Sequence, residues 1–178
     1  MKAFIVPTLD NEAMLDTLIG QVPLDFDLFV FRGKGVTEAW NEGLREASYC
    51  RYFVISNDDI ELSEGWWEKF EEAFKTHHFV SLQTPHPFSG WFFAMDKYCL
   101  ERIGYFDENM SIFAQDDDYA IRLKLAGIQI AKVDVPIKHY GSATVNKMDR
   151  EKRKEIRNEN WLALRKKYPN MKMQENLR

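Results

Sequence analysis

The residues best suited to chemistry begin with two adjacent carboxylates, Asp58 and Asp59, which follow the apolar stretch "YFVIS" and Asn57. Two like charges about 4 Å apart repel each other by about 4 kcal/mol at an effective dielectric near 20, unless a cation or solvent separates them. Hard cations such as Mg²⁺ and Mn²⁺ take oxygen ligands, and Mg²⁺ typically uses one or two protein carboxylates plus substrate phosphates. Asn and Asp are also ordinary residues of a turn that ends a strand. The pair alone therefore fits both a metal site and a structural turn.

A second acidic group, Asp116 to Asp118, begins the segment "DDDYAIRLKLAG", which has helical spacing and ends at Gly127. Acids in the first turn of a helix are stabilised by the helix dipole by about 0.3–1 kcal/mol each, so capping alone explains them. A carboxylate can also act as a general base toward a hydroxyl group. His139, in "KHYGSAT", is either a packed or exposed histidine or a metal ligand.

The apolar segments of the first half predict the elements that position these groups. Three segments have the composition of buried strands, and the two segments between them have helical spacing. The strands are "KAFIVPT", "FDLFVFRGKG" and "RYFVIS", and the helices are "NEAMLDTLIG", closed by Gly20, and "VTEAWNEGLREA", with a further helix from Ser63. This alternation predicts an α/β fold in which a sheet lies between helices.

The second half is less regular than the first. "FVSLQTP" and "GWFFAMD" are predicted strands, "CLERIG" is a short helix, "IQIAKVDVP" and "IKHYGSATV" are extended, and a charged helix with Trp161, Leu164 and Tyr168 closes the chain. In α/β sheets, ligands bind outside the carboxyl ends of the strands. Asp58 and Asp59 lie at such an end, as do Pro7-Thr8 and the loop of residues 32–35, so three loops are predicted to converge on one site.

Length and charge bound the organisation of the protein. A chain of 178 residues fits one compact domain. The net charge of −4 is uneven, because residues 147–178 hold eleven Lys/Arg against five Asp/Glu, while residues 1–146 hold 13 against 23. We therefore expect a domain over residues 1–146 and a basic helical tail over residues 147–178 that packs on it or extends from it. The acidic body argues against a general nucleic-acid binder.

Compartment and redox state follow from the same composition. The apolar runs are too short to span a bilayer, and "MKAFIVPTLDNEA" lacks the length and cleavage site of a signal peptide, which predicts a cytoplasmic protein without a transmembrane segment. Cys50 and Cys99 have neither metal-ligand nor redox spacing and are predicted to be free thiols in the core.

Four blocks of the sequence resemble the GT-A family of nucleotide-sugar-dependent glycosyltransferases, in particular the large inverting family that includes rhamnosyl- and galactosyltransferases. The blocks are "VPTLDN", then "TEAWNEGLREA" with "YFVISNDDIEL", then "SGWFFAMDKYCLERIGYFDENMSIFAQDDDYAIRLKLAG", and lastly "VPIKHYGSATV". The third is the most specific, because a small-residue turn, a strand, "IGYFDE" and an acidic helix start occur together in the family's order. The likeness covers residues 2 to about 145 and implies a GT-A, Rossmann-like fold with a mixed, mainly parallel sheet.

The resemblance also assigns roles to the acidic residues. Asp59 would bind the Mn²⁺ or Mg²⁺ ion that bridges the donor diphosphate, with His139 as a further ligand, and Asp58 would lie near the ribose. The family's acid pair before the second-half helix appears here as Gln115-Asp116. Its second member is the general base, so Asp116 is the candidate, with Asp117 and Asp118 as competitors.

The remaining site residues also come from the resemblance. The donor nucleotide would contact Pro7, Thr8, Asp10, Arg32, Lys34, Asn41, Asn57 and Asp58, and the sugar and acceptor would contact Gly90, Trp91, Gln115 and Asp118. The family's second strand is normally followed by an Asp that holds uracil, whereas this chain has Arg32 and a short loop. Arg32 and Lys34 would then contact the diphosphate or form an exposed basic turn. Trp91 would stack on a hexose or pack in the core.

Together these expectations describe a metal-dependent inverting glycosyltransferase that moves a sugar from a nucleoside diphosphate sugar, such as a UDP-hexose, to an acceptor hydroxyl. The acceptor is open among a glycan, a lipid-linked sugar, a protein and a hydroxylated nucleic-acid base. The C-terminal helix, or a partner subunit in a homo-oligomer, would supply the acceptor surface. Rival hypotheses are a metal-dependent phosphohydrolase or nucleotidyltransferase and a non-catalytic sugar-binding module.

Overall fold

A mixed six-stranded sheet forms the centre of the computed structural model, which describes residues 1–9, 11–141 and 149–171. Its strands are β1 (Lys2–Thr8), β2 (Phe26–Arg32), β3 (Tyr52–Ser56), β5 (Phe79–Leu82), β6 (Phe92–Asp96) and β7 (Ile130–Val133). Their order is β2-β1-β3-β6-β5-β7, and only β6 runs antiparallel to its neighbours. Two short strands, β4 (Ile60–Glu61) and β8 (Lys138–His139), form a separate antiparallel pair. The predicted mixed, mainly parallel sheet is confirmed.

Helices cover both faces of this sheet. They are α1 (Glu12–Gln21), α2 (Val36–Glu46), α3 (Trp66–Ala73), α4 (Lys97–Ile103), α5 (Gln115–Leu125) and α6 (Arg150–Lys167). Successive strand residues point to opposite faces, so Phe4 packs with α1 and α3 while Ile5 packs with α2, α4 and α5. Gly43 lets α2 approach β1 closely, because a Cβ atom there would collide with Ile5.

Two helix boundaries differ from the sequence expectation. Gly20 lies inside α1, which ends at Gln21 and is followed by the extended residue Val22. The helix expected from Ser63 begins instead at Trp66, because Gly65 has a left-handed φ of 72° and breaks the helical backbone there. Beyond His139, the expected extended segment "GSATV" continues past Gly141 into residues outside the described part of the chain.

The described part of the C-terminal tail packs on the body of the protein. The side-chain oxygen of Asn160 accepts hydrogen bonds from the backbone N–H groups of Ile112 and Phe113, at 3.3 and 3.1 Å. Leu164 is 1% exposed and lies against Met110 and Ala114. These contacts fix α6 over the segment that precedes α5.

The two thiols agree with a further expectation. Cys50 and Cys99 are both free and buried, as predicted. Within the ranges described, each helix is too short or too polar to cross a membrane.

Candidate active site

A cavity of about 980 Å³ opens beyond the carboxyl ends of β1 and β3. Its walls come from three parts of the chain: strand ends, the start of α5, and α6. The lining includes Pro7, Asn57, Asp58, Asp59, Gly90, Trp91, Gln115, Asp116, Asp117, His139, Arg153, Arg157, Trp161 and Arg165. The cavity therefore collects the acidic groups that the sequence places at a strand end and at a helix start.

Asp59 and His139 form a pair suited to a divalent cation. The Oδ1 atom of Asp59, a residue that is 2% exposed, lies 3.1 Å from Nε2 of His139. The β4–β8 pairing produces this approach: His139 lies opposite Ile60, and the backbone N–H of Tyr140 donates to the carbonyl of Asp59 at 2.9 Å.

The donor chemistry of this pair fits Mn²⁺ or Mg²⁺, because a carboxylate oxygen and an imidazole nitrogen converge on one point of a cavity with room for substrate oxygens. The described residues contain no cluster of three or more His, Cys, Asp or Glu side chains that could enclose a metal. Within the described residues, this pair would supply two ligands, one oxygen and one nitrogen.

Trp91 lies against this pair. Its ring stacks on the imidazole of His139, with centroids 4.5 Å apart and planes inclined by 11°. The carbonyl of Trp91 accepts from the backbone N–H of Asn57 at 2.8 Å, which ties the start of β6 to the end of β3. One face of the indole is therefore occupied by a side chain of the protein.

Asp58 is held by the neighbouring strand. It is 5% exposed, and its Oδ2 atom accepts a hydrogen bond from the hydroxyl of Thr8 at 2.6 Å. Because β1 and β3 are parallel, with Ile5 opposite Ile55, their carboxyl ends meet and bring Thr8 to Asp58. Pro7, Thr8, Asn57 and Asp58 are thus brought together, as predicted from the motifs.

Asp116 lies at the start of α5 with its carboxylate against Gly90. A Cβ atom on Gly90 would lie 2.8 Å from Oδ2 of Asp116, so only glycine leaves room for the carboxylate in this position. The backbone N–H of Asp117 donates to Oδ1 of Asp116 at 3.0 Å. Gly90 therefore leaves room for this carboxylate, and the hydrogen bond from Asp117 orients it.

Both carboxyl groups at the start of α5 hold their protons more tightly than usual. Burial raises the pKa of Asp116, although its hydrogen bonds with backbone N–H groups act in the opposite direction. Burial, and then the negative charge of Asp116, raise the pKa of Asp117 to about 7. A raised pKa is a property that suits a carboxylate to act as a general base.

Gln115 and Asp118, both predicted to contact the sugar or acceptor, have different surroundings. Gln115 is 7% exposed and lines the cavity, and its Oε1 atom has no hydrogen-bond partner among the described residues. Asp118 is 0% exposed and lies outside the cavity, contrary to the prediction that it contacts the sugar or acceptor. Its oxygens bind Arg122 and Lys167, each at 2.8 Å, and accept from Tyr168 at 2.9 Å.

Three predicted nucleotide contacts are also placed away from the cavity. The Arg32 guanidinium pairs with Glu12 at 3.1 Å on the surface, and Lys34 pairs with Glu42. The amide of Asn41, a residue 1% exposed, bonds both to the backbone N–H and to the carbonyl of Phe106, each at 2.9 Å. Asn41 therefore joins α2 to the backbone at Phe106 and has a structural role. Asp10 lies outside the described residues.

The sequence motifs missed several lining residues. Trp40 is 1% exposed and lines the cavity, and its indole N–H has no partner among the described residues. His86 lines the same wall. Burial raises the pKa of Asp116, and the interaction with His86 opposes that rise only slightly. Arg153 and Arg157 recur at a helical interval of four, a signal that could have placed them on one face, whereas nothing in the sequence around His86 marks it.

Residues 6–131, more than half of the chain, match the family model described as Glycosyl transferase family 2. No curated protein gives a sequence match to the chain.

Solved structures of glycosyltransferases are similar to this fold. One is a mutant of Drosophila β1,4-galactosyltransferase 7 in complex with manganese, UDP-Gal and xylobiose. Its TM-score is 0.66 and its sequence identity 14%, and the match covers 84% of this chain and 74% of that one. Glucosyl-3-phosphoglycerate synthase from Mycobacterium tuberculosis, with Mn²⁺, UDP and glucosyl-3-phosphoglycerate, has a TM-score of 0.66 at 12% identity over 93% and 79%.

A third similar structure is a mannosyltransferase from Pyrobaculum calidifontis, in complex with GDP-Man and Mn²⁺. It has a TM-score of 0.56 at 19% identity over 75% of this chain and 54% of that one. At these identities the likeness shows the fold, and the predicted GT-A architecture is confirmed.

Proposed function

Because the chain belongs to glycosyl transferase family 2, we propose that it transfers a hexose, with inversion, from a nucleoside diphosphate sugar to an acceptor hydroxyl. The donor is a UDP-hexose and the cofactor is Mn²⁺ or Mg²⁺. One observation carries the proposal: Asp59 and His139, whose donor atoms suit a divalent cation, face the same cavity as Asp116, a carboxylate with a raised pKa.

The donor half of the site is proposed at the ends of β1 and β3. Asp59 and His139 would hold the cation, which when bound neutralises the diphosphate leaving group. Asp58, oriented by Thr8, would accept hydrogen bonds from the ribose hydroxyls. The similar structures support this assignment, since all three contain manganese and a nucleotide or nucleotide sugar, uridine in two and guanosine in the third.

The acceptor half is proposed at the start of α5. Asp116 takes the proton from the acceptor hydroxyl, whose oxygen forms a bond to the anomeric carbon of the donor. The bond between that carbon and the diphosphate breaks, and the electron pair leaves with the diphosphate. This single displacement inverts the configuration and needs no nucleophile from the protein.

The test is incubation of the protein and Mn²⁺ with a panel of nucleotide sugars, followed by detection of released nucleoside diphosphate. Hydrolysis without an acceptor is expected for one donor, and it should stop with EDTA and with Asp59→Asn, because the cation site is then empty or weakened. Release of phosphate or pyrophosphate would instead indicate a phosphohydrolase or nucleotidyltransferase. No release from any sugar, together with no thermal stabilisation by UDP and Mn²⁺, would contradict the proposal.

A further inference from the structure

One face of α6 presents a row of arginines to the cavity. Arg153, Arg157 and Arg165 line it, and Trp161 occupies the position between the last two. These four residues recur at intervals of four, so they lie in one row along the helix, about 18 Å long at a rise of about 1.5 Å per residue. We call Arg153, Arg157, Trp161 and Arg165 the arginine row.

The glutamates of α6 lie on a different face of the helix from the arginine row. Three glutamates also recur at intervals of four: Glu151, Glu155 and Glu159. Each lies two residues from a member of the arginine row, which is about 200° around the helix at about 100° per residue. Residues two apart do not face each other on a helix, whereas like charges four apart destabilise it. Arg153 and Arg157 therefore have no glutamate of α6 as a neighbour on the same face.

The first two arginines have no partner within the described part of the chain. Arg153 and Arg157 form no ion pair or hydrogen bond with any described residue, although Lys167 on the same helix contacts both Asp107 and Asp118. The carboxylates of Asp116 and Asp117 line the same cavity and remain unpaired with these two arginines. Both arginines therefore line the cavity without an ion pair to any described residue.

The position of α6 associates the row with the acceptor half of the site. Asn160 binds the backbone of Ile112 and Phe113, and Leu164 packs against Ala114. These residues directly precede Gln115 and Asp116, so the helix wall stands beside the proposed general base. The donor half, in contrast, is built by strand ends.

We propose that the acceptor carries a phosphate group, which Arg153 and Arg157 bind while Trp161 contacts the apolar face of the same molecule. Guanidinium groups recognise phosphate with paired, charge-assisted hydrogen bonds, and they remain charged at all physiological pH values. This inference names the class of acceptor and rests on the proposed glycosyltransferase function, because only a transferase has an acceptor. The anion site itself depends only on α6 and the cavity.

The site can be tested without turnover by titrating the full chain with inorganic phosphate, in EDTA and without donor. The signals to follow are the five tryptophan indole N–H resonances in a ¹H–¹⁵N spectrum, with Trp161 assigned through Trp161→Phe. We expect a saturable shift of the Trp161 signal that chloride at equal ionic strength does not cause. Arg153→Gln with Arg157→Gln should weaken the apparent affinity at least about tenfold, because charge-assisted hydrogen bonds are lost.

A matched double variant, Lys152→Gln with Lys166→Gln, removes the same charge from residues of α6 that do not line the cavity, and it should bind phosphate as the unmodified chain does. Equal weakening by both double variants would show that net charge alone causes the loss of phosphate affinity, and it would overturn the proposal. The absence of a saturable, phosphate-dependent shift of Trp161 would also overturn it.

Two further titrations identify the source of the phosphate. Tighter binding of methyl phosphate than of dimethyl phosphate indicates a phosphomonoester on a small molecule, and the reverse indicates a phosphodiester; both support the proposal. Competitive displacement of phosphate by UDP with Mn²⁺ would assign the row to the donor diphosphate and overturn it. Since the titration contains neither donor nor metal, a failure of nucleoside diphosphate release would contradict the proposed function while leaving the anion site intact.

Discussion

At the scale of single residues, the position of one carboxylate determines the proposed chemistry. Replacing Asp116 by Asn removes the base but keeps the size of the side chain and its contact with Gly90. Turnover should fall by about 10²–10⁴-fold, the usual contribution of general-base catalysis. The KM for the donor should change much less, because the donor half lies at the strand ends. Steady-state kinetics with donor and acceptor varied separately would measure both, and an unchanged kcat would remove Asp116 from the mechanism.

Gly90 offers a test of position without a change of charge. Gly90→Ala places a Cβ atom 2.8 Å from Oδ2 of Asp116, so the carboxylate must move. Misplacement of a catalytic group by about 1 Å can cost about 10²-fold in rate, and we expect a loss of kcat of that order. Gly35→Ala is the matched control, because no atom lies within 4 Å of a Cβ there. Similar losses in both variants would attribute the effect to backbone changes.

The pH dependence follows from the raised pKa values. A carboxyl group with a raised pKa stays protonated to higher pH, and a base must be unprotonated. Because burial raises the pKa of Asp116, kcat should rise with increasing pH above the usual range of an aspartate. Asp117→Asn removes the neighbouring negative charge, which lowers the pKa of Asp116 and should move this rise to lower pH. A profile of kcat against pH for both proteins measures the shift, and a shift to higher pH would contradict the predicted coupling.

At the scale of elements, the two-residue strands β4 and β8 bring together His139 and Asp59, the proposed cation ligands. The ring of Trp91 stacks on His139 from one side. Trp91→Ala removes the stacked ring, so the Mn²⁺ concentration for half-maximal activity should rise about 10- to 100-fold, as for other groups that orient metal ligands. Trp91→Phe keeps a ring and should change it less. If the Mn²⁺ titration is unchanged and the KM for the donor or acceptor rises instead, Trp91 binds sugar.

The elements themselves were largely predictable, and the failures have physical causes. Buried strands such as "RYFVIS" and the helix of α2 follow from apolar period and length alone. The start of α3 was misplaced by three residues, because Ser63 has the composition of a helix cap while the backbone of Gly65 prevents a helix there. The sequence cannot distinguish Asp116 from Asp118, since both are acids in one helical turn. Only the docking of α6, through Lys167 and Tyr168, shows that Asp118 is a structural residue.

At the scale of the whole molecule, the acidic body and the described part of the basic tail line one cavity. The body provides the carboxylates of the cavity, and α6 closes it with the arginine row. The composition alone shows that the charge is unevenly distributed. It does not show which way the basic residues of α6 face, because a basic helix can equally face solvent. The contacts of Asn160 and Leu164 determine which face of α6 turns inward.

The attachment of α6 makes the last prediction one of stability. Lys167 contacts Asp107 at 2.7 Å and the fully buried Asp118 at 2.8 Å, and although burial alone would lower the pKa of Lys167, these carboxylates raise it. Lys167→Ala should lower the free energy of unfolding by about 1–3 kcal/mol, less than for a fully buried pair because Lys167 is 35% exposed. Urea denaturation measures this, with the exposed Lys166→Ala as the control, expected within about 0.5 kcal/mol of the unmodified chain. Because α6 is also the proposed acceptor wall, Lys167→Ala should raise the KM for the acceptor more than that for the donor. A loss of stability that leaves both KM values unchanged would mean that α6 is only a structural element.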